Sequence, residues 1–180
     1  RFVSSWIDLP RIEALKESSP RDEARAKLGF APHDQVIANI GTVCERKGQH
    51  VFIRTVEYFM KHFAANGSYK FLIVGGRPGE YQTSLEADIA RLGLAEVITI
   101  VNETDRVYEY FRAANLFACS SFEESFPRVL LEAMAFETPI VSTNVHGVPE
   151  MVTNKAEAYL VPPGEPIAFA KTIKTCLDKL

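Results

Sequence analysis

The segment Leu116-Phe-Ala-Cys-Ser-Ser-Phe-Glu-Glu124-Ser-Phe-Pro-Arg-Val-Leu-Leu-Glu132-Ala-Met-Ala135 carries the pattern that decides the fold. Its first four residues are apolar and predict a short buried strand. Residues 126–135 then follow a helical pattern, with Pro127 in the first turn, where proline is favoured. A strand that passes through a short loop into a helix is the repeating unit of an α/β protein.

The same order of strand and helix continues on both sides of this segment. Short β-rich runs predict strands at residues 35–40, 70–74, 97–101, 116–119, 139–142 and 158–161. Helical patterns follow most of these runs, at residues 51–63, 81–92, 107–114, 126–135 and 167–180. Strands this apolar are typical of a parallel sheet that is covered on both faces. Right-handed crossovers then predict a doubly wound, Rossmann-like α/β sheet of about six strands, with its ligand beyond their carboxyl ends.

The composition is that of an average globular protein and excludes several classes. Of the 180 residues, 47% are hydrophobic and 24% are charged, which is enough apolar mass for one large core. The formal net charge is −3, so no basic excess is available for general nucleic-acid binding. Three widely separated cysteines match neither a disulfide framework nor a zinc site and suit a reducing compartment such as the cytoplasm. No apolar run approaches the ~20 residues of a membrane-spanning helix.

The first 34 residues differ in character from the rest. They contain three prolines and the charged stretch 21–27, and we expect residues 1–34 to form a linker and a leading helix within the same domain. Residues 35–180 then form the ligand-binding α/β domain. Because the chain begins with arginine rather than methionine, we expect it to be a piece of a longer protein.

Two glutamates in the opening segment are candidate ligand contacts. Glu124 is expected just before a helix N-terminus, where the helix dipole stabilises a carboxylate by about 0.3–1 kcal/mol, so an acidic cap explains it on its own. Glu132 has apolar neighbours in the sequence, which predicts a helix that is buried nearly all round. A carboxylate in such a helix has to be paired or to face a ligand. Both glutamates can border one cleft only if Glu124 lies in the loop ahead of the helix.

The loop after the first strand, Gly41-Thr-Val-Cys-Glu-Arg-Lys-Gly-Gln-His50, offers positive charge. Arg46 and Lys47 stand where the next helix begins. A helix N-terminus with two cations is a natural seat for phosphate, and a solvated turn is the alternative. The spacing is not that of a P-loop, and the turn Gly75-Gly-Arg-Pro-Gly79 lacks the dinucleotide-binding fingerprint. That turn still allows a backbone to approach a ligand closely.

Four of these segments, taken in order, resemble a known family. They are residues 41–48, residues 74–79, the Glu124-x7-Glu132 motif with Glu-Ala-Met-Ala at its end, and residues 143–150. Over nearly its whole length the chain resembles the C-terminal, donor-binding half of a retaining GT-B glycosyltransferase of glycosyltransferase family 4 (group 1). The resemblance implies a nucleotide-diphosphate sugar as the donor, no metal ion or other cofactor, and no nucleic-acid partner.

The resemblance also implies roles for single residues. Glu132 would hydrogen-bond the ribose hydroxyls, Glu124 would face the hydroxyls of the transferred sugar, and Lys47 would bind the diphosphate. Catalytic roles fall to Glu124 and Lys47, and no protein nucleophile is implied. Ser125 and Phe126 would offer backbone N–H donors. The remaining implied substrate contacts are Gly41, Thr42, Arg46, Gly75, Gly76, Glu103, Thr104 and Pro127.

Three positions depart from the family pattern. Thr42 stands where the family often has an arginine, so either Arg46 replaces that charge or the phosphate is held less tightly. Pro127 stands where a glycine is usual and removes one N–H donor. His146-Gly147 stands in place of the usual pair of glycines after the fifth strand.

The implied reaction is front-side transfer of a glycosyl group with retention of its anomeric configuration. Lys47, Arg46 and a helix N-terminus would stabilise the departing nucleoside diphosphate. The acceptor would bind to a separate N-terminal domain that this chain lacks. It would be a carbohydrate, a lipid-linked molecule or another acceptor. We therefore expect the chain alone to bind the donor weakly and to transfer nothing. For the full-length protein the resemblance implies a cytoplasmic location, either free or peripherally associated with a membrane.

Two other functions stay open from the sequence. A stand-alone module of flavodoxin-like architecture that binds a nucleotide or a nucleotide sugar would need only the cationic loop and the ribose carboxylate. A sugar-nucleotide epimerase shares the two-domain architecture of the transferases.

Overall fold

Six parallel strands form one sheet in the computed structural model, whose described residues are 7–65 and 67–180. The strands are β1 (Gln35–Ile40), β2 (Tyr69–Gly76), β3 (Ile98–Asn102), β4 (Leu116–Cys119), β5 (Ile140–Thr143) and β6 (Tyr159–Val161). Their order across the sheet is β3-β2-β1-β4-β5-β6, and each neighbouring pair is parallel. This is the strand order of a doubly wound Rossmann-like sheet, which confirms the predicted fold class.

Helices connect the strands and cover both faces of the sheet. They are α1 (Leu9–Ser18), α2 (Arg21–Lys27), α3 (Gln49–Phe63), α4 (Glu80–Arg91), α5 (Val107–Ala113), α6 (Arg128–Ala135), α7 (Val148–Met151) and α8 (Pro166–Leu177). Side chains alternate along each strand, so Ile37 joins the core cluster under α3, α4 and α8, whereas Val36 and Ala38 join the one under α1, α5, α6 and α7. No helix within residues 7–65 and 67–180 is long and apolar enough to cross a membrane.

Most element boundaries lie close to those that the sequence predicts, and two of the differences arise at prolines. The helix predicted from residue 126 begins at Arg128, because Pro127 has an extended backbone (ψ 107°) and only caps it. The single leading helix is two helices, since Pro20 is extended (ψ 148°) and separates α1 from α2. The part of the predicted linker at residues 1–6 lies outside the described residues.

The strands β1 and β4 mark the point at which the strand order reverses. From β1 the sheet continues through β2 to β3 on one side, and from β4 it continues through β5 to β6 on the other. In sheets of this kind the two sets of connections leave on opposite faces, and a crevice opens between them at the carboxyl ends of the strands. The loops after β1 and β4 therefore border the place where a ligand is expected.

A buried arginine ties α2 to the amino ends of β1 and β4. Arg25 is only 4% exposed, and its guanidinium donates to the carbonyls of Ala31 and Ala113 at 3.1 and 3.3 Å. It also donates to Asn115 Oδ1 at 2.9 Å and to the carbonyl of Asp34. Residues ahead of β1 thus complete the hydrogen bonding of the loops at this end of the sheet.

Candidate functional site

A cavity of about 480 Å³ opens at the carboxyl ends of the central strands, in front of α6. Its walls come from the loops after β1, β2, β3 and β4. The lining residues are Ile40, Gly41, Thr42, Arg46, Lys47, Val74, Gly75, Glu103, Thr104, Val107, Glu124, Phe126, Pro127, Arg128, Val129 and Glu132. The lining includes every substrate contact predicted from the sequence except Ser125 and Gly76. The topology of the sheet therefore brings most of these residues to one cavity, and their contacts with substrate stay predictions.

An ion pair between Lys47 and Glu124 forms part of the cavity wall. The ammonium Nζ of Lys47 donates to Oε1 of Glu124, and the two side chains are 14% and 6% exposed. Ser121 Oγ donates to the same carboxylate oxygen at 2.7 Å, and Thr143 Oγ1 donates to the Ser121 carbonyl at 2.6 Å. The Glu124 carboxylate is therefore held by Ser121 of its own loop and by Lys47 of the loop after β1, and Thr143 on β5 holds the backbone of Ser121 in place.

The loop after β1 is fixed against the loop after β4 by buried polar contacts. Asn39 Nδ2 donates to the Ala118 carbonyl and to Ser120 Oγ at 2.9 and 3.0 Å, and Ser120 Oγ donates to the Lys47 carbonyl at 3.0 Å. Gly48 has φ +66°, and a Cβ there would lie 2.2 Å from the Ser120 carbonyl oxygen. Only glycine allows this close approach, which sets the position of Lys47.

The two cations of this loop lie in a turn ahead of the helix. Arg46 and Lys47 belong to a 3₁₀ turn, which ends before α3 begins at Gln49. The start of α3 lies two residues ahead of its predicted position. The cavity lining contains both cations and no residue of α3. The first residues of α6, which begins immediately after the loop that carries Glu124, line the cavity instead.

Glu132 lies on the cavity side of α6 and is partly buried. The prediction that α6 is buried nearly all round is wrong, because only Leu130 and Ala133 are buried and the other positions have partial or full exposure. Burial raises the pKa of Glu132, and the charge of Arg128 and a hydrogen bond from Tyr108 act in the opposite direction. A half-buried carboxylate with so few donors is suited to accept hydrogen bonds from ligand hydroxyls.

The N-terminus of α6 adds hydrogen-bond donors and a positive charge to the cavity. The first N–H groups of a helix, here including those of Arg128 and Val129, have no intrahelical partners. No side chain caps α6, so no capping side chain occupies these donors. Arg128 lines the cavity, and sequence reasoning missed it. The signal that could have found it is a cation at the first helical position after a strand-end loop. Phe126, at 47% exposure, is an apolar side chain at the cavity wall.

Ser125 and Gly76, the two predicted contacts outside the lining, pack against other loops. The carbonyl of Ser125 points at Gly147, where a Cβ would lie 1.8 Å from its oxygen. The Gly147 N–H donates to the Glu124 carbonyl at 3.0 Å, so Gly147 supports the loop from behind. Gly76 packs against β3 and α4, and a Cβ there would lie 2.7 Å from Gln82 Oε1.

Glycines and an exposed ion pair shape the end of the cavity near β2 and β3. Gly41 and Gly75 have φ +150° and +113°, and a Cβ on Gly75 would lie 2.4 Å from the Gly41 carbonyl oxygen. Glu103 accepts two hydrogen bonds from Arg77, at 2.9 and 3.0 Å, and these lower the pKa of Glu103. Thr104 completes this end of the lining. In the described part of the chain no group of three or more His, Cys, Asp or Glu side chains could hold a metal ion.

A comparison with known families places the chain in a class of transferases. The chain belongs to the glycosyl transferases group 1 family, whose model matches residues 20–179. This confirms the family that the sequence motifs predict. Solved neighbours of the chain are GT-B glycosyltransferases, which confirms that the fold is one half of that architecture.

Several curated relatives are similar in sequence. The D-inositol 3-phosphate glycosyltransferase of Acidothermus cellulolyticus is 32% identical over 167 residues, which cover 88% of this chain and 37% of that protein. The enzyme of the same name from Nocardia farcinica is 33% identical over 146 residues, which cover 78% and 32%. The chain therefore spans about a third of the length of these relatives.

Solved structures repeat the fold closely. HepE from Anabaena, solved in complex with UDP-glucose, is 28% identical, with a TM-score of 0.78 over 88% of this chain and 43% of that one. A separately solved C-terminal domain of the group 1 protein LpcC from Francisella tularensis shares the fold at 20% identity, with a TM-score of 0.80. It covers 96% of this chain, and the match takes in 88% of that domain.

Proposed function

We propose that this chain is the donor domain of a retaining glycosyltransferase and that its cavity binds a nucleotide-diphosphate sugar. The observation that carries the proposal is that Lys47, Glu124 and Glu132, which the family pattern links to diphosphate, sugar and ribose, line a single cavity at the switch point of the sheet. The solved complexes of HepE with UDP-glucose, and with UDP and glucose, support a donor of this class.

The charges along the cavity match the chemistry of such a donor. Glu132, on α6, would accept hydrogen bonds from the ribose hydroxyls, as the family pattern implies. Arg46, Lys47 and Arg128 would neutralise the diphosphate, together with the free N–H groups at the start of α6. Glu124, in the loop that precedes α6, would accept hydrogen bonds from the hydroxyls of the transferred sugar. Thr42 offers no charge, so Arg46 and Arg128 are the cations that would compensate for the arginine usual in the family.

The same groups would assist bond cleavage. As the bond between the anomeric carbon and the diphosphate oxygen breaks, its electron pair passes to the diphosphate, and fixed cations stabilise that charge. The acceptor hydroxyl would attack the anomeric carbon from the face that the diphosphate leaves, which preserves the anomeric configuration. Its proton would pass to the departing diphosphate. The proposal assigns no nucleophile to the protein. Binding of the nucleoside would hold the anomeric carbon in place for the acceptor.

The acceptor would bind to a second domain that this sequence does not include. The chain corresponds to 37% of a curated relative and to 43% of HepE, which leaves room in those proteins for a domain of comparable size. Membership of the transferase family does not favour a sugar-nucleotide epimerase or a stand-alone binding module. We therefore expect the chain alone to bind donor and to lack transfer activity.

Calorimetric titration of the chain with UDP, GDP and ADP tests donor binding. We expect one of them to bind, and Lys47→Met to weaken that diphosphate about tenfold or more while leaving the bare nucleoside nearly unchanged, since a charge-assisted contact contributes about 1.5–3 kcal/mol. The matched control is Lys171→Met, because Lys171 is an exposed lysine on α8 outside the cavity. Absence of binding by all three nucleotides at millimolar concentration would refute the proposal.

Retention is tested separately on the complete protein. Proton NMR of the first product formed from a UDP-sugar with an α-anomeric bond should show an α-glycoside. A β-glycoside as the first product would contradict the proposed stereochemistry while leaving donor binding intact.

A further inference from the structure

Tyr108 on α5 reaches the Glu132 carboxylate from behind the cavity wall. Its phenol oxygen lies 3.4 Å from Glu132 Oε1, and the residue is only 8% exposed. Tyr108 does not line the main cavity, whereas its neighbour Val107 does. Burial raises the pKa of the Tyr108 phenol, so the hydroxyl keeps its proton at neutral pH and can donate it in a hydrogen bond.

Two neighbours hold the Tyr108 ring in place. The guanidinium of Arg11, on α1, lies 5.2 Å from the ring centroid, in the range of a cation–π contact. Arg11 is itself held by a hydrogen bond from Nη2 to the Asp105 carbonyl at 3.0 Å. The ring also packs against Phe136, with centroids 5.6 Å apart. The hydroxyl therefore has a fixed direction, which is what a residue that orients another side chain requires.

We infer that Tyr108 is a positioning residue for the nucleotide site, which orients the Glu132 carboxylate so that it accepts hydrogen bonds from the ribose of the donor. The inference rests on the proposed function. A glutamate on a helix has three side-chain torsions, and ordering them costs free energy when the ligand binds. A hydrogen bond from a fixed phenol to Oε1 orders Glu132 beforehand and leaves its remaining lone pairs for the ligand.

The test compares a ribonucleotide with its counterpart that lacks the ribose hydroxyls. Dissociation constants for UDP and 2′,3′-dideoxy-UDP, with the GDP and ADP pairs measured in parallel, give a discrimination ratio for each variant. We expect Glu132→Gln to bring this ratio close to one. We expect Tyr108→Phe to lower it by about two- to tenfold, the range of a single hydrogen bond, while affinity for the dideoxynucleotide changes less than about twofold.

The matched control is Tyr110→Phe. Tyr110 is a second tyrosine on α5, partly buried against the same core cluster, and the tyrosine that donates to Glu132 is Tyr108. Tyr110→Phe should leave the ratio unchanged. If Tyr108→Phe weakens both nucleotides equally, Tyr108 has only a structural role and the inference is wrong. If Glu132→Gln itself leaves the ratio unchanged, the ribose contact of the proposed function fails, and the inference fails with it.

The pH dependence of binding gives a second readout that a purely structural role would not move. The groups that act on Glu132 are Tyr108 from α5 and Arg128 from its own helix. The other charged groups that line the cavity are Arg46, Lys47, Glu103 and Glu124. The hydrogen bond from Tyr108 favours the ionised carboxylate, so its loss in Tyr108→Phe should raise the pKa of Glu132. The acid limb of UDP binding, which is the fall in affinity as the pH is lowered, should then begin at a higher pH. The dideoxynucleotide, measured in the same buffers, corrects for protonation of the phosphate. An acid limb that stays in place would overturn the inference.

Discussion

Lys47 and Glu124 lie 77 positions apart in the sequence and form an ion pair in the wall of the cavity. The family pattern gives them different tasks, at the diphosphate and at the sugar. In the structure each is also the charge that compensates the other, in surroundings where both side chains are largely buried. A substitution of either one therefore acts on the stability of the fold as well as on ligand binding.

Lys47→Met should destabilise the protein by about 3 kcal/mol, because it leaves the buried Glu124 carboxylate without a compensating charge. The double variant Lys47→Met/Glu124→Gln should recover most of that loss, since it removes both charges. Urea denaturation of the two variants and the wild type measures the free energies of unfolding.

The control for this pair is Lys27→Met, which breaks an exposed ion pair with Glu23 on α2. Exposed pairs contribute about 0.3–0.5 kcal/mol, so this variant should unfold almost like the wild type. Equal losses for Lys27→Met and Lys47→Met would contradict the role of burial at the cavity.

Glu132→Gln should raise the melting temperature at neutral pH even though it removes the preference for the ribose hydroxyls. Because burial raises the folded-state pKa of Glu132 above its ordinary value, ionisation of this carboxyl costs stability as the pH rises through that raised pKa. Glutamine carries no such charge. The advantage of the variant should therefore be full at about pH 8 and disappear towards about pH 4, where the wild-type carboxyl is protonated in both states.

Thermal melts of wild type and variant across that pH range measure the difference in melting temperature, which is the gap between them. The exposed Glu80, at the start of α4, provides the control Glu80→Gln, for which we expect no advantage that grows with pH. A gap for Glu132→Gln that widens as the pH falls would contradict the direction of the pKa shift.

Gly147→Ala should destabilise the loop that carries Glu124 by about 1–3 kcal/mol, the usual range for overpacking. The backbone at Gly147 has φ −76°, which any residue can adopt, so the cost comes from the methyl group against the Ser125 carbonyl. Gly79→Ala is the control, since its Cβ would have no neighbour closer than 3.9 Å. Differential scanning calorimetry of both variants measures the loss of stability. A loss for Gly79→Ala as large as that for Gly147→Ala would contradict the role of the close contact between residue 147 and the Ser125 carbonyl.

His146→Gly should stabilise the protein by about 1 kcal/mol. His146 has φ +40°, in the left-handed region where a side chain costs about 1–2 kcal/mol and glycine does not. His146→Ala keeps that cost and separates it from loss of the imidazole. The melting temperature should therefore be higher for glycine than for alanine at this position, and the reverse order would show that the imidazole itself stabilises the loop.

The conformation of residue 146 also explains a departure noted in the sequence. The family pattern has two glycines after the fifth strand, and the backbone at His146 adopts the conformation that favours the first of them. The second, Gly147, is required by its contact with Ser125. Sequence comparison identified the substitution, and only the structure shows that the histidine retains the glycine-like backbone.

The sheet and most of the cavity could be predicted because they depend on local patterns. Apolar runs predict the strands, and the rule that ligands bind at the carboxyl ends of parallel strands predicts that the loop of Lys47 and the helix of Glu132 border one site. The pairing of Lys47 with Glu124 could not be predicted, because nothing local links residues so far apart. Arg128 and Tyr108 were missed for a related reason, since their importance arises only from the side chains that the fold places beside them.

The contacts of Arg25 set a limit for protein engineering. Four oxygen atoms accept hydrogen bonds from this guanidinium at the end of the sheet opposite the cavity: the Ala31, Asp34 and Ala113 carbonyls and the Asn115 side chain. A shortened version that starts at β1 would lack Arg25 and leave the Ala113 carbonyl and the Asn115 side chain without this donor. A chimaera that exchanges the preceding helices without keeping this arginine would remove the donor from all four acceptors. Boundaries for recombining such domains should therefore be drawn ahead of α2, even though every cavity residue lies beyond it.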